Sequence, residues 1–159
     1  SRAHHFYLAV KDLHKFYMKE ALIEAETALS KGEVPIGAVI VFNGEIIARA
    51  HNLKEERKDP TAHAEILAIQ QATAKLNNWR LNGSTIYVTI EPCPMCAGAL
   101  VQARVDRLVL GAWDAKAGAA GSLVNLVQFS QFNHRMEVIG GVMEVECRAM
   151  MQRFFEKLR

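Results

Sequence analysis

The sequence predicts an α/β domain in which helices cover both faces of one mixed sheet. Three observations carry that prediction. Helical and strand-like periodicities alternate along the chain in the order αββαβαβ(α)βα. The first two strand-like runs flank Asn43-Gly44, the strongest short hairpin signal, so the sheet opens antiparallel. The later strands are separated by helices and are most simply parallel. A chain of 159 residues, 50% of them hydrophobic, suits one compact domain. At that size roughly 70% of the unfolded surface is buried, so no disulfide is needed to hold the fold.

The first helix is expected over residues 12–31. Met18, Leu22, Ala25 and Leu29 recur at helical spacing, Asp12 can cap its start, and Gly32 can end it. Residues 1–11 are read as a flexible N-terminal segment. They lack the apolar centre of a signal peptide. Strands are expected over residues 36–42 and 45–50. Residues 51–58, His51-Asn52-Leu53-Lys54-Glu55-Glu56-Arg57-Lys58, form a strongly charged loop.

Asp59-Pro60 is expected to open the second helix, with Asp as cap and Pro at the first helical position. That helix runs through Ile66, Ile69 and Ala72 to about Leu76. A β-rich strand follows over Ser84–Ile90. Pro94 then opens a third helix ending near Ala103, and residues 107–111 form the next strand. Residues 112–122, rich in Gly and Ala, read as a loop. Residues 123–132 can hold a short helix crossing to a last strand over 136–139. Gly140-Gly141 breaks the pattern before a long terminal helix over 143–158.

Composition narrows the function classes only a little. The net charge of +2 permits a nucleic-acid partner without arguing for one. No apolar run approaches the length of a membrane span. Of the three cysteines, two fall in Cys93-x-x-Cys96 and Cys147 stands alone in a helical pattern, so no disulfide framework exists and a reduced, cytoplasmic setting is expected.

The chemistry is concentrated in two short strings, His63-Ala64-Glu65 and Pro92-Cys93-Pro94-Met95-Cys96. A structural zinc site closes its tetrahedron with four protein ligands, whereas a catalytic one uses three and keeps the fourth position for water. Here three ligand types, His63, Cys93 and Cys96, are accompanied by an acid at Glu65. On a helix, positions three apart share a face, so Cys93 and Cys96 can grip one ion if Cys93 caps the helix opened by Pro94. His63 and Glu65 can converge on the same point from a helix's first turn. Two helix N-termini then favour the thiolates. The combination points to a zinc-activated hydroxide with Glu65 carrying the proton. A redox Cys-x-x-Cys pair remains open, as does a closed structural site with His134 or Cys147 as fourth ligand.

His63-x-Glu65 followed by Pro92-Cys93-x-x-Cys96 resembles the zinc-dependent nucleobase deaminase superfamily, of which this pattern is the defining signature, so the roles follow from recognition as well as from chemistry. The wider chain narrows the match. Val34-Pro35-Ile36-Gly37-Ala38-Val39, Asn52, the string from Asp59 to Glu65, the string from Thr89 to Ala99, Gly118-Ala119-Ala120-Gly121-Ser122 and Asn133-His134 together resemble the bacterial tRNA adenosine deaminases. This resemblance spans nearly the whole chain, from Tyr17 to Leu158.

It implies a three-layer α/β/α, cytidine-deaminase-like domain over residues 12–159 with one mixed five-stranded sheet. It implies one Zn2+ per chain on His63, Cys93 and Cys96, with Glu65 as proton shuttle. It implies conversion of the wobble adenosine of a tRNA anticodon loop to inosine, by a homodimer. Asn52 would hydrogen-bond the flipped-out adenine, Val34 and Pro35 would wall its pocket, and Asp114 would lie beside the flanking nucleotide. From pattern alone, Asn52 can equally be a turn residue, Asp114 a loop cap, and Val34-Pro35 packing at a strand entry. A free-base deaminase of guanine or cytosine type is the alternative enzyme, and a zinc-stabilised RNA-binding module without catalysis is the alternative from another class. On the terminal helix, Arg148, Arg153, Lys157 and Arg159 lie near Phe154 and Phe155, a combination suited to single-stranded RNA or simply to a packed face with solvated charges.

Overall fold

The computed structural model describes residues Ser1–Arg159. Helix α1 (Arg2–Ser30) leads into strands β1 (Gly37–Phe42) and β2 (Glu45–His51). A one-turn helix α2 (Lys54–Arg57) and helix α3 (Ala64–Leu76) follow. Then come β3 (Ser84–Ile90), α4 (Pro94–Gln102), β4 (Arg107–Ala112), β5 (Glu137–Ile139) and α5 (Glu144–Lys157).

The strands form one sheet in the order β2-β1-β3-β4-β5. β1 is antiparallel to both β2 and β3, while β3, β4 and β5 run parallel. The mixed five-stranded sheet with an antiparallel opening and parallel later strands is therefore as expected. Asn43 and Gly44 both take positive φ, as the tight turn between β1 and β2 requires.

The central strands are buried on both faces because successive side chains point to opposite sides. Ala38, Ile40, Ile86, Val88, Leu108 and Leu110 join Leu67, Ala68 and Leu100 of α3 and α4 in the larger core. Val39, Val41, Tyr87 and Val109 face the other way and meet Tyr17, Met18 and Ala21 of α1 and Cys147 of α5. Small residues let α1 come close to the sheet. Ala21, Ala25 and Ala28 are fully buried, and a Cβ on Gly37 would overlap the Ala21 carbonyl and the Ala25 amide. Cys147 is packed against Gly111 and is a core residue.

Four local expectations are corrected. The first helix begins at Arg2 rather than Asp12, because Ser1 caps it through a hydrogen bond from the His4 amide and no Gly or Pro interrupts residues 2–11. The second long helix begins at Ala64 rather than Pro60. Asp59 spends its carboxylate on the amide and hydroxyl of Thr61, at 2.8 and 2.7 Å, and so closes a turn ahead of the helix. The charged loop over residues 51–58 contains α2, which depends on a long-range cap described below. Residues 123–132 form turns and no helix; Gly121 and Leu126 bond locally to Val124 and Ala119 instead. No helix is long and apolar enough to cross a membrane.

Candidate active site

His63 and Cys93 occupy equivalent places in the chain. Each is the N-cap of a helix with extended φ/ψ, His63 at −81° and 152° for α3 and Cys93 at −73° and 172° for α4. Their carbonyls accept the first helical hydrogen bonds, from Leu67 and Ala97. The cap conformation turns both side chains out past the helix ends toward one another. Cys96, one turn into α4 and fully buried, completes the group. Nδ1 of His63 lies 3.7 Å from Sγ of Cys93 and 3.5 Å from Sγ of Cys96. These three residues can hold a metal ion: their ligand atoms lie within 4.8 Å of one another. Neither His134 nor Cys147 belongs to the group. His134 Nε2 is 2.6 Å from the Val105 carbonyl, and Cys147 sits in the other core.

The donor set itself fits a cation. A hydrogen bond from the Cys96 thiol brings the Cys93 thiol down to about 5 against the opposing effect of burial, aided by the amides of Cys96 and Met95 and by His63. Cys96 moves the other way, pushed up by the hydrogen bond it gives Cys93, by burial and by the negative charge of Glu65 and Cys93. A divalent cation between the two sulfurs would offset the repulsion of their charges.

Glu65 stands two residues into α3, 3% exposed and beside the Cys96 sulfur. Burial raises its carboxyl to about 7, with the nearby Cys93 charge adding to the rise, while its own amide and Cys96 act against it. An acid that titrates near neutrality can both take and give a proton there.

The remaining predicted residues surround this centre. Asn52 follows β2 and is 5% exposed. Its Oδ1 accepts the Ala64 amide at 2.8 Å, which caps α3 from a distance and fixes which amide atom is oxygen. Its Nδ2 has no partner within the chain. Pro35 is buried and Val34 half-buried on the segment entering β1. Asp114 follows β4, and its Oδ1 accepts the amides of Lys116 and Ala117, so its side chain does shape the loop. On α5 the basic residues are largely paired: Arg153 with Glu26 at 3.0 Å and Arg148 with Glu144 at 2.9 Å.

Two functional supports escaped the sequence reading. Glu33, 2% exposed, accepts the amides of Glu55 and Glu56 at 2.9 and 2.8 Å and thereby closes the N-terminus of α2. Glu91, 4% exposed, accepts the amides of Asp114, Ala120 and Ser122 at 2.9, 2.9 and 3.0 Å, and the Ser122 hydroxyl as well. Burial works to raise the Glu91 carboxyl, but the bonds from Ser122, Asp114 and Ala120 outweigh it and hold it below the usual range. The available signal was an acid in apolar company, in Gly32-Glu33-Val34-Pro35 and in Thr89-Ile90-Glu91-Pro92.

Comparison with known proteins places the chain. The sequence profile of the MafB19-like deaminases matches residues 13–159. The tRNA-specific adenosine deaminase of Bacillus subtilis (strain 168) is 58% identical over 145 residues, covering 91% of this chain and 90% of that one. A structure solved in work on A-to-I editing by tRNA:A34 deaminases at the wobble position of transfer RNA superposes with a TM-score of 0.82 at 44% identity, over 85% of this chain and 98% of that one. The guanine deaminase of Bacillus subtilis superposes with a TM-score of 0.62 at 39% identity, over 69% and 70% of the two chains. Identity of this extent, over about nine-tenths of both chains, makes the chain a member of the bacterial tRNA-specific adenosine deaminase family.

Proposed function

We propose that this protein is a zinc hydrolase that converts adenosine to inosine at the wobble position of a tRNA anticodon loop. The observation that carries this reading is a three-ligand group at two converging helix ends with a buried acid, Glu65, beside it. The His63-to-sulfur separations of 3.5 and 3.7 Å suit a tetrahedral zinc ion. Bonds of about 2.3 Å to sulfur and about 2.0 Å to nitrogen at a tetrahedral angle put those atoms about 3.5 Å apart. The chemistry such an ion supplies when bound is a water acidified to a pKa of about 7, a nucleophile for hydrolysis at neutral pH.

The chain's own residues do the rest. Glu65 carries two protons in turn, one from the attacking water to the ring nitrogen and one from the added hydroxyl to the amino group that leaves as ammonia, a role worth about 10²–10⁴ in rate. Asn52, anchored through Oδ1, presents Nδ2 as a hydrogen-bond donor to the adenine edge. Val34 and Pro35 wall the base and exclude water. Asp114 and its loop meet the neighbouring nucleotide. A base in an anticodon loop is already unpaired, so extruding it costs little.

The enzyme works as a homodimer in the cytoplasm. Exposed Leu123, Val124, Phe129 and Phe132 on one loop give such a pairing apolar surface to bury, and all three cysteines are free, as a reducing compartment keeps them. The function is tested by incubating the zinc-loaded protein with an unmodified arginine tRNA and sequencing for inosine. An unaltered wobble adenosine contradicts it.

A guanine-type free-base deaminase is the competing reading, supported by the likeness to a guanine deaminase in fold and sequence. Ammonia release from free guanine, with none from tRNA, would favour that reading.

A further inference from the structure

The segment between β4 and the turns after residue 122 reaches the core through Ala119 and Ala120, whereas Trp113, Ala115, Lys116, Gly121 and Ser122 are all exposed. Asp114 turns the start of the segment, and a second carboxylate holds its two ends together from below. Glu91 gathers the amides of Asp114, Ala120 and Ser122 together with the Ser122 hydroxyl. Those donors lie up to eight residues apart, so the carboxylate ties the two ends of the loop to one point. Gly118 is pressed onto the same carboxylate, because a Cβ there would overlap its Cδ and Oε1. The anchor point is itself next to the metal ligands. Glu91 adjoins Pro92, whose carbonyl accepts the Ala119 amide at 2.8 Å, and Pro92 adjoins Cys93.

We propose that Glu91 is a positioning residue for RNA binding: it docks loop 113–122, with Asp114 on it, onto the segment that carries Cys93, so that the strand flanking the target base is held in register with the metal centre. This rests on the reading that the substrate is an adenosine within an RNA loop. Two consequences separate this role from general support. Loss of the clamp weakens capture of the RNA, because the loop must then be ordered on binding. The chemical step, carried by His63, Cys93, Cys96 and Glu65, stays close to its normal rate once RNA is bound.

The test is steady-state deamination of an anticodon stem-loop RNA by zinc-loaded wild type, Glu91→Gln and Gly118→Ala. Gln at position 91 puts an amide N–H toward donors that need an acceptor. Ala at 118 leaves Glu91 in place but pushes the loop off it, and Gly118 has no positive φ that would strain an alanine. We expect KM to rise about tenfold in both variants, kcat to change by less than about threefold, and zinc to stay at one per chain. Ser122→Ala, which removes a single donor, is expected to give a smaller rise in KM. Wild-type kinetics in both variants would overturn the proposal, as would a fall in kcat at unchanged KM. If Glu91→Gln does not fold, Gly118→Ala decides alone. If wild type itself leaves the RNA unchanged, it is the functional reading that fails, and the role of Glu91 falls with it.

Discussion

Asn52 and Ala64 are joined by a hydrogen bond of 2.8 Å in which the side-chain Oδ1 accepts the amide that opens the helix bearing Glu65. One side chain thus holds the helix that bears Glu65 and leaves its own amide nitrogen without a partner in the chain. The structural and the substrate-binding readings of Asn52 are therefore two ends of the same group. They can be separated. Asn52→Asp retains the acceptor and removes the donor, so its melting temperature should stay near wild type while kcat/KM on RNA falls at least tenfold, roughly the cost of one lost hydrogen bond to the base. Asn52→Ala should lose the same activity and, in addition, about 1 kcal/mol of stability from the missing cap. Full activity in Asn52→Asp would remove Asn52 from the binding site.

Glu33 is predicted to hold the segment between β2 and α3 through its bonds to Glu55 and Glu56. Glu33→Gln leaves one of those amides facing another donor. A loss of about 1–3 kcal/mol in urea unfolding is expected, with faster hydrogen exchange at the amides of residues 55 and 56. Unchanged exchange at those two amides would show that α2 stands without its cap.

How much of this was legible in the sequence depends on the range of the interaction concerned. The caps at Cys93 and the turn at Asn43-Gly44 are local, and both elements fell where their residues indicated. The start of α3 was misplaced because Asp59 and Pro60 look like a helix opening, whereas the group that caps the helix is Asn52, twelve residues earlier. Likewise α2 has no cap of its own and takes one from Glu33 across the fold. That His63, Cys93 and Cys96 would come together was legible because metal chemistry dictates both residue types and spacing. Glu91 lay inside the recognised string, but its work depends on a loop of more than twenty residues' separation that no periodicity reveals.

His14 is buried on the sheet face opposite the metal group and shares a hydrogen bond of 2.7 Å between its Nδ1 and the Tyr87 hydroxyl. Burial lowers its pKa, the positive charge of Arg107 adds to the effect, and Glu137 opposes it. A histidine depressed in the folded state takes up its proton more readily when unfolded. Its stabilising contribution is therefore complete above the unfolded value of about 6.5 and is lost as pH falls through the lower folded value. Wild type should lose more melting temperature between pH 7.5 and pH 5 than His14→Gln does. Every other titrating group is common to the two proteins, so the difference isolates His14. Parallel curves for the two would contradict this account.

The proposed proton relay runs through Glu65 and serves deamination of a tRNA wobble adenosine at the His63, Cys93 and Cys96 centre. It is tested most directly by sequencing an unmodified arginine tRNA for inosine after incubation with zinc-loaded wild type and Glu65→Ala, with metal content measured on both. Wild type should give inosine at the wobble position, Glu65→Ala should lose at least about 10²-fold, and each should carry one zinc per chain. Wild-type protein that binds zinc yet leaves the adenosine intact, or a Glu65→Ala variant that still converts it at a comparable rate, would contradict it.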